Sequence, residues 1–338
     1  MKFGTVPLAE AEGAMLAHSM ECTTGAGKRY RIAKGTVLTG DHIRDLAAAG
    51  SAQVTVARLE PGDVAEDDAA RLLAQAIVPD PEGQGLRISG AGAGRVNLYA
   101  TRAGVVRLDV AAIEAANAVD PMITIATVPD HHRCDAGTML ATIKIISYGV
   151  PARALQDAAG QGAGAITVRA PIYRTATLIE TLLGSDPPSE KGRNATVARL
   201  DRFGMQLSPR VFCDHDETGL AQAIASAPGE VILILTASAT SDPMDVGPAA
   251  LLRAGGRMTR FGMPVDPGNL LFLGQLGDKP VIGLPGCARS PALNGADWVL
   301  ERVICGLDVT DRDIAAMAVG GLLKEIPTRP QPRGRPAR

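Results

Sequence analysis

Two acidic side chains stand in the loop that follows one of the most apolar runs of the chain. The run EVILILT ends at Thr236, and the segment ASATSDPMDVGP after it carries Asp242 and Asp245. Two carboxylates at the carboxyl end of a strand could hold Mg²⁺ or accept hydrogen bonds from a ring amide. We therefore predict Asp242 and Asp245 as catalytic and metal-binding residues. Asp245 has an alternative role, because it could instead cap the helix that we expect to open at Pro248 and to end before Gly255.

A second loop, GLPGCARSP, runs from an apolar strand toward a long helix that we expect to end before Gly306. Backbone N–H groups at the start of a helix favour anions. Ser290 could cap this helix, which would explain the start of the helix without any ligand. A cap does not, however, require the Leu-Pro-Gly turn that precedes it. We predict that the following residues of this loop bind a cofactor: Leu284, Pro285, Gly286 and Ser290.

A third loop, PVDPGN at residues 264–269, joins two strand-like runs. We expect it to lie beside the other two loops, at the same edge of a sheet. Together with the start of the first loop it completes the predicted cofactor-binding set, which adds Thr236, Ser238, Pro267, Gly268 and Asn269.

The pattern around these loops alternates between strands and helices. Strands are predicted at residues 165–169, 207–212, 231–235, 257–262 and 280–284, with helices between several of them. Such alternation predicts an α/β fold whose parallel sheet is covered on both faces. Ligands of such a sheet lie at the carboxyl ends of its strands, which is where the three loops begin.

The rest of the chain has a different organisation. Residues 1–90 predict a mixed α+β region, with helices near 41–49 and 66–77 and a strand near 53–56. Residues 91–160 predict a small subdomain with strands at 95–100, 123–128 and 141–146. The α/β domain then occupies residues 161–310, after a glycine cluster at 160–164 that we interpret as a hinge. A Pro/Arg-rich extension covers 311–338, with disorder expected from residue 327.

Composition excludes several classes of function. The chain has 338 residues, of which 46% are hydrophobic and only 3% aromatic, with a net charge of −2. The scarcity of aromatic residues and the slightly negative net charge argue against nucleic acid as a partner. No apolar run approaches the roughly 18 residues of a membrane span. The five cysteines are widely spaced and odd in number, so we predict reduced thiols and a cytoplasmic protein.

A family resemblance is carried by TSDPMDVGPAALLRAGGRMTRFGMPVDPGN and GDKPVIGLPG. In order and spacing these segments resemble the molybdopterin-binding (MoaB/Mog-type) domain of the molybdopterin molybdenumtransferases, the gephyrin-like proteins. AKGTVLTGDHIRDLAAAG resembles the amino-terminal region of such proteins more weakly. The resemblance implies a three-layer α/β domain in a homodimer, with molybdopterin held by the strand-end loops. It also implies molybdenum cofactor biosynthesis, in which molybdate enters adenylylated molybdopterin with Mg²⁺ and loss of AMP.

Departures from the family pattern keep an alternative function open. The chain has Thr236-Ala237-Ser238 where the family has a Thr-Gly-Gly turn, and Cys287-Ala288 where Asn-Pro is frequent. After the strand at 165–169 it lacks the family's Ser-Thr-Gly-x-Glu turn. These losses favour, as the alternative, a non-catalytic molybdopterin carrier that serves a nucleotidyltransferase or a molybdoenzyme. A hydrolase acting on nucleotides is a third possibility.

Three further groups of polar residues have structural explanations that we favour. His131 and His132 stand in a loop of potential metal ligands that are too close in sequence to converge easily on one ion. The acidic segment 214–217 is expected to cap a helix. Lys144 could reach a phosphate, but strand alternation favours a solvated face.

Overall fold

The computed structural model describes residues 1–24 and 27–323. The disorder predicted from residue 327 lies outside these residues. The chain divides into two compact units, which we treat separately. The first comprises Met1–Thr101, Val106–His132 and Ala136–Val168, and the second comprises Arg102–Val105, Arg133–Asp135 and the described residues from Arg169 onward.

The first 169 residues contain small sheets and short helices. In chain order these elements are β1 (Lys2–Pro7), β2 (Met15–Leu16), β3 (Met20–Thr23), β4 (Arg29–Ile32), α1 (Gly40–Ala48), β5 (Gln53–Arg58), β6 (Asp63–Ala65), α2 (Glu66–Ile77), α3 (Pro81–Gln84), β7 (Leu86–Ile88), β8 (Arg95–Ala100), β9 (Gly104–Leu108), α4 (Val110–Val119), β10 (Ile123–Thr127), β11 (Arg133–Cys134), β12 (Met139–Ile145), β13 (Gly149–Pro151), α5 (Ala152–Gly162) and β14 (Ile166–Arg169). The strands form the sheets β1-β5-β2, β3-β4, β13-β6, β10-β12-β8-β7 and β11-β9-β14.

Several local predictions for this part of the chain are confirmed. Helix α2 has the predicted bounds, and β8, β10 and β12 match the three predicted strands to within two residues. The glycine cluster at 160–164 is not a free hinge, because it forms the last turn of α5 and the residues after it. The proposed boundary near residue 90 stays a prediction.

From residue 170 onward the elements belong to one large sheet and its helices. In chain order they are β15 (Thr175–Leu182), α6 (Lys191–Asp201), β16 (Gln206–Leu207), β17 (Val211–Asp214), α7 (Glu217–Ser226), β18 (Val231–Leu235), α8 (Val246–Arg253), β19 (Arg257–Phe261), β20 (Phe272–Leu276), β21 (Lys279–Gly283), α9 (Gly295–Ile304) and α10 (Asp311–Ala315). The sheet has the order β16-β15-β18-β21-β20-β19, and β17 also pairs with β15.

Side chains alternate between the two faces of this sheet and build one core on each. On β18, Val231, Leu233 and Leu235 pack with α6, α9 and α10. Ile232 and Ile234 point the other way and pack with α7 and α8. Helices therefore cover both faces, and the predicted three-layer α/β architecture is confirmed.

The strand assignments need three corrections. The strand predicted at 207–212 is two short strands, β16 and β17, separated by residues 208–210. The central strand β15 was not predicted, whereas the predicted strand at 165–169, observed as β14, belongs to a different sheet. The segment that follows the first strand of the large sheet is therefore Leu183-Gly184-Ser185-Asp186, not the segment after Arg169. This segment does contain a glycine, with φ of 91°, and an acid. One of the departures that favoured a carrier therefore rested on the wrong strand.

Strand direction places the three predicted loops at one edge. Strands β15, β17, β18 and β21 are parallel. Because β20 is antiparallel to both β21 and β19, β19 runs in the same direction as β21. The loops after β15, β17, β18, β19 and β21 therefore all leave from the same side of the sheet, which we call the carboxyl edge.

Candidate functional site

Two hydrogen bonds connect the three predicted loops at the carboxyl edge. Arg289 donates from Nη2 to the carbonyl oxygen of Thr236, at 2.8 Å. The backbone N–H of Gly295 donates to the carbonyl oxygen of Pro267, also at 2.8 Å. The segment 284–295 thus contacts the loop after β18 on one side and the loop after β19 on the other. The loops that carry the predicted residues are therefore in contact at this edge, and we call them together the three-loop site.

The turn after β18 is closed by its own hydroxyl groups. Thr236 Oγ1 donates to the carbonyl oxygen of Ser238 at 2.7 Å and lies 3.2 Å from the hydroxyl of Thr240. The backbone N–H of Ala237 donates to Thr181 Oγ1 at 2.7 Å. The Ser238 side chain is exposed, whereas Thr240 is buried. Of the two predicted residues in this turn, Ser238 is therefore the one left free to meet a ligand.

Asp245 is the N-cap of α8, in agreement with its alternative role. Its two carboxylate oxygens accept from the backbone N–H groups of Val246 at 2.8 Å and Ser241 at 3.0 Å. These bonds, aided by the nearby His215, hold the pKa of Asp245 below its usual value. Helix α8 starts at Val246, two residues before the predicted opening at Pro248, because the cap fixes its first turn.

Asp242 lies on the surface of the same loop, where one carboxylate oxygen accepts from the N–H of Met244 at 2.8 Å. Within residues 1–24 and 27–323, no group of three or more His, Cys, Asp or Glu side chains is arranged to hold a metal. Mg²⁺ is nevertheless commonly held by one or two carboxylates together with substrate phosphate and water. The exposed Asp242 fits that limited donor set, and Asp245 fits it less well because both its oxygens are engaged.

The loop after β19 approaches α9 through Gly268. This glycine has φ of 146°, and an added Cβ would stand 2.8 Å from the backbone nitrogen of Gly295. Only glycine allows this backbone and this approach. Pro267 is half-buried, Asn269 is exposed, and the amide of Asn269 makes only a long contact of 3.4 Å to the carbonyl oxygen of Met263.

The loop after β21 begins with buried Leu284 and Pro285 and then exposes Gly286. Residues Gly286–Arg289 form a short 3₁₀ turn that Ser290 ends. Ser290 does not cap the long helix as predicted. Helix α9 begins at Gly295 and is capped by Asn294, whose side chain accepts from the N–H of Ala296 at 2.8 Å. The sequence ARSPALN contains two possible caps, and the later one is used.

A buried arginine that the sequence did not indicate holds this loop in place. Arg199 of α6 contacts Asp297 through Nε and donates to the carbonyl oxygens of Ala288 at 2.8 Å and Ser290 at 2.9 Å. A weaker bond of 3.3 Å reaches the carbonyl of Ala292. The side chain is only 9% exposed. Arg199 therefore fixes the segment 288–292, from which Arg289 extends to Thr236.

A second arginine performs a similar role beside β15. Arg210 pairs with the buried Glu180 at 2.9 Å and donates to the carbonyl oxygen of Pro188 at 3.0 Å. It also pairs with Glu190. The loop after β15 is thereby tied to the edge of the sheet. Nothing in the spacing of these residues signals the pairing, since Arg210 and Glu180 are 30 positions apart.

Among the remaining polar candidates, the predicted cap at Asp216 is confirmed, whereas Lys144 is half-buried and not on a solvated face. Asp216 caps α7 and accepts from the N–H of Gly219 at 2.8 Å. Lys144 contacts Glu66 at 3.5 Å and the carbonyl oxygen of Ala93. His131 lies 3.1 Å from Asp130 through Nδ1.

Comparison with known proteins gives one family match and two structural likenesses. Residues 5–58 match a family described as "Domain of unknown function (DUF8806)". A search of curated proteins finds no match. The crystal structure of a molybdopterin biosynthesis MoeA protein from Pyrococcus horikosii is similar at 13% identity and a TM-score of 0.30, over 92% of this chain and 76% of that one. A molybdenum cofactor biosynthesis protein B is similar at 14% identity and a TM-score of 0.30, over 40% of this chain and 96% of that one.

These likenesses are distant, and neither assigns an activity to this chain, because one fold hosts many functions. The class of protein is fixed by the topology above: an α/β protein with a large, mostly parallel sheet between two helical layers. In the part of the chain that the structure describes, no helix is long and apolar enough to cross a membrane.

Proposed function

We propose that this chain binds molybdopterin at the three-loop site and acts in molybdenum cofactor biosynthesis. The observation that carries the proposal is the contact of Arg289 with Thr236 and of Gly295 with Pro267. It joins three sequence segments that separately resemble the molybdopterin-binding domain of the gephyrin-like molybdenumtransferases. Strand direction explains why these loops share an edge, and the two hydrogen bonds bring them into contact there.

The groups at the site suit a flat polar ring that carries a phosphate. Exposed Ser238 and Asn269 offer hydrogen-bonding side chains, and the carboxylate of Asp242 can accept from ring N–H groups. Arg289 supplies positive charge between the first and last loops. Binding pockets of this kind commonly combine a few convergent polar groups with a buried framework, which here is supplied by Leu284 and Pro285.

The finer proposal is the insertion of molybdate into adenylylated molybdopterin, with release of AMP. In it, Asp242 and Asp245 would hold Mg²⁺ together with the phosphate of the ligand. The ion would supply charge neutralisation at the phosphate, and the protein's own loops would orient the ring. A homodimer, a cytoplasmic location and a partner nucleotidyltransferase or molybdoenzyme belong to this finer proposal.

The alternative, a molybdopterin carrier without catalysis, is favoured by two observations. Both oxygens of Asp245 already accept backbone hydrogen bonds. The N–H of Ala237, in the turn where the family has glycine, is also engaged. Both features suit a site that holds a ligand and leave fewer free groups for chemistry.

Anaerobic calorimetry with molybdopterin and with its adenylylated form, with and without Mg²⁺, tests the proposal. We expect binding of both pterins at one site per chain. Release of AMP on addition of molybdate would establish the transferase, whereas binding without AMP release would establish the carrier. Absence of binding to either pterin would refute both.

A further inference from the structure

His215, a half-buried histidine at the carboxyl edge, entered the site described above only as a neighbour of Asp245. It is the first residue after β17 and precedes the cap of α7. Its backbone N–H donates to the carbonyl oxygen of Leu182 at 2.9 Å, which fixes it beside the end of β15. Its Nδ1 also lies 2.9 Å from Thr181 Oγ1, to which the N–H of Ala237 donates. His215 therefore stands next to the turn that follows β18.

The hydrogen bonds of Thr181 favour one tautomer of the His215 ring. Thr181 is buried, and its Oγ1 accepts from the N–H of Ala237 at 2.7 Å. The same oxygen lies 2.9 Å from His215 Nδ1. A threonine hydroxyl has one hydrogen to donate, and Nδ1 is its acceptor among the described residues. In the tautomer that satisfies this buried hydroxyl, Nδ1 is the acceptor and the ring hydrogen is on Nε2.

The Nε2–H group is left as a donor without a hydrogen-bond partner among residues 1–24 and 27–323. The N–H of Ala237, which would otherwise serve a ligand in this turn, is consumed by Thr181. The same pair of bonds thus removes a backbone donor from the turn and orients a side-chain donor beside it.

We propose that His215 contacts the ligand and donates its Nε2–H to an oxygen of a phosphate monoester. This inference rests on the proposed function, because the phosphate is that of the pterin bound at the three-loop site. Thr181 is then a positioning residue, since it acts on the ligand only through His215 and Ala237. The class of ligand is a phosphate monoester, and inorganic phosphate is the simplest probe of it.

Two substitutions separate contact with the ligand from a structural role. In His215→Asn the side-chain oxygen can replace Nδ1 as the acceptor for Thr181, but the donor at Nε2 is lost. In His215→Gln the amide nitrogen can replace Nε2 as the donor, while the Thr181 bond is lost. We expect H215N to keep the thermal stability of the wild type and to bind molybdopterin roughly tenfold more weakly, equivalent to about 1.4 kcal/mol. H215Q should bind within about threefold of the wild type, which corresponds to less than about 0.7 kcal/mol.

Nitrogen-15 NMR of the imidazole of His215 in the full-length wild type, titrated with inorganic phosphate, provides a test that needs no variant. A phosphate-dependent change in the resonance of Nε2, larger than that of Nδ1, supports the inference, and no change overturns it. If the wild type binds molybdopterin and H215N binds it equally well, the inference fails and the proposed function stands. If phosphate changes the Nε2 resonance but molybdopterin does not bind, the proposed function fails, and the contact of His215 with phosphate is left without the pterin.

Discussion

Asp242 and Asp245 stand three positions apart, yet the structure gives them different surroundings. Asp245 is tied to two backbone N–H groups, whereas Asp242 is exposed and makes one local bond. A sequence pattern cannot separate these roles, because both aspartates favour the start of a helix and both suit a metal or a ring amide. Burial and partners are needed to tell them apart.

Replacing Asp245 with alanine should lower the free energy of unfolding by about 1 kcal/mol, the usual value for an N-cap. Because the folded state lowers the pKa of Asp245, this contribution is present above the unfolded pKa and is lost as the pH falls through the lower, folded value. Urea denaturation at pH 7 and at acidic pH measures both effects. Asp242→Ala is the control, with a change within about 0.5 kcal/mol. Equal losses in the two variants would contradict the assigned roles.

Glu301 of α9 gives a second pH-dependent prediction. Burial, and next the neighbouring Asp297, raise its pKa from 4.5 to about 7, while Arg133 at 3.6 Å opposes this rise. The folded state therefore binds more protons than the unfolded state between pH 4.5 and 7, so stability falls as the pH rises through that window. Above pH 7 Glu301 is deprotonated in both states, so its contribution to stability no longer changes with pH.

Glu301→Gln removes this titration, so its stability relative to the wild type should increase from pH 5 to pH 8. A tenfold change in the acid dissociation constant between the unfolded and folded states corresponds to about 1.4 kcal/mol of stability. Denaturant unfolding of both proteins at the two pH values measures the difference. If the difference in the free energy of unfolding between the two proteins does not change with pH, the pKa of Glu301 is not raised in the folded state.

At the scale of elements, the sequence predicts some strands and misses others for physical reasons. Strand β18 has the sequence VILIL and is buried on both faces, so its apolar run predicts both of its ends correctly. Strand β15 is TATLIETL and carries Glu180 in its interior. That carboxylate is only 2% exposed and is tolerated because Arg210 pairs with it. A polar residue at a buried strand position disguises the strand whenever its partner is distant in sequence.

The bonds from Arg199 to the segment 288–292 can be tested by a substitution that keeps the positive charge. Arg199→Lys retains a cation for Asp297 but cannot reach the carbonyls of Ala288 and Ser290 together. We expect the free energy of unfolding to fall by roughly 1 to 3 kcal/mol, as for the loss of two or three buried hydrogen bonds. Amide exchange should also become faster in residues 288–292.

Arg193→Lys is the matched control for this change, because Arg193 lies in the same helix and donates to one carbonyl, that of Ser208. Arg193→Lys should lower the free energy of unfolding by less than about 1 kcal/mol. Equal destabilisation, or unchanged exchange in residues 288–292 of R199K, would show that Arg199 does not hold the loop.

Gly268 and Gly286 form a second matched pair within the three-loop site. An added Cβ at Gly268 meets the nitrogen of Gly295 at 2.8 Å on a backbone with φ of 146°, whereas one at Gly286 meets nothing within 4 Å. Gly268→Ala should therefore lower the free energy of unfolding by more than about 1 kcal/mol, whereas Gly286→Ala should leave it nearly unchanged. Thermal unfolding of the two variants gives the comparison. A reversed order would mean that the loop after β19 is not pressed against α9.

At the scale of the whole molecule, the site was predictable as three sequence segments and not as a three-dimensional assembly. Parallel strands alone required the loops after β18 and β21 to share an edge. The loop after β19 joins them only because two antiparallel pairings reverse the chain twice. The contacts that unite the loops depend on partners such as Arg199 and Asp297, which are 98 positions apart. Spacing along the chain contains no trace of them.

We propose that all three loops contribute side chains to one pterin site. Anaerobic titration calorimetry of molybdopterin into the wild type and into Ser238→Ala, Asn269→Ala and Arg289→Lys, one variant in each loop, tests it most directly. We expect one bound pterin per chain in the wild type and weaker binding in every variant, by roughly 3- to 30-fold, as for the loss of one or more hydrogen bonds. Wild-type affinity in all three variants, or no binding by the wild type, would contradict it.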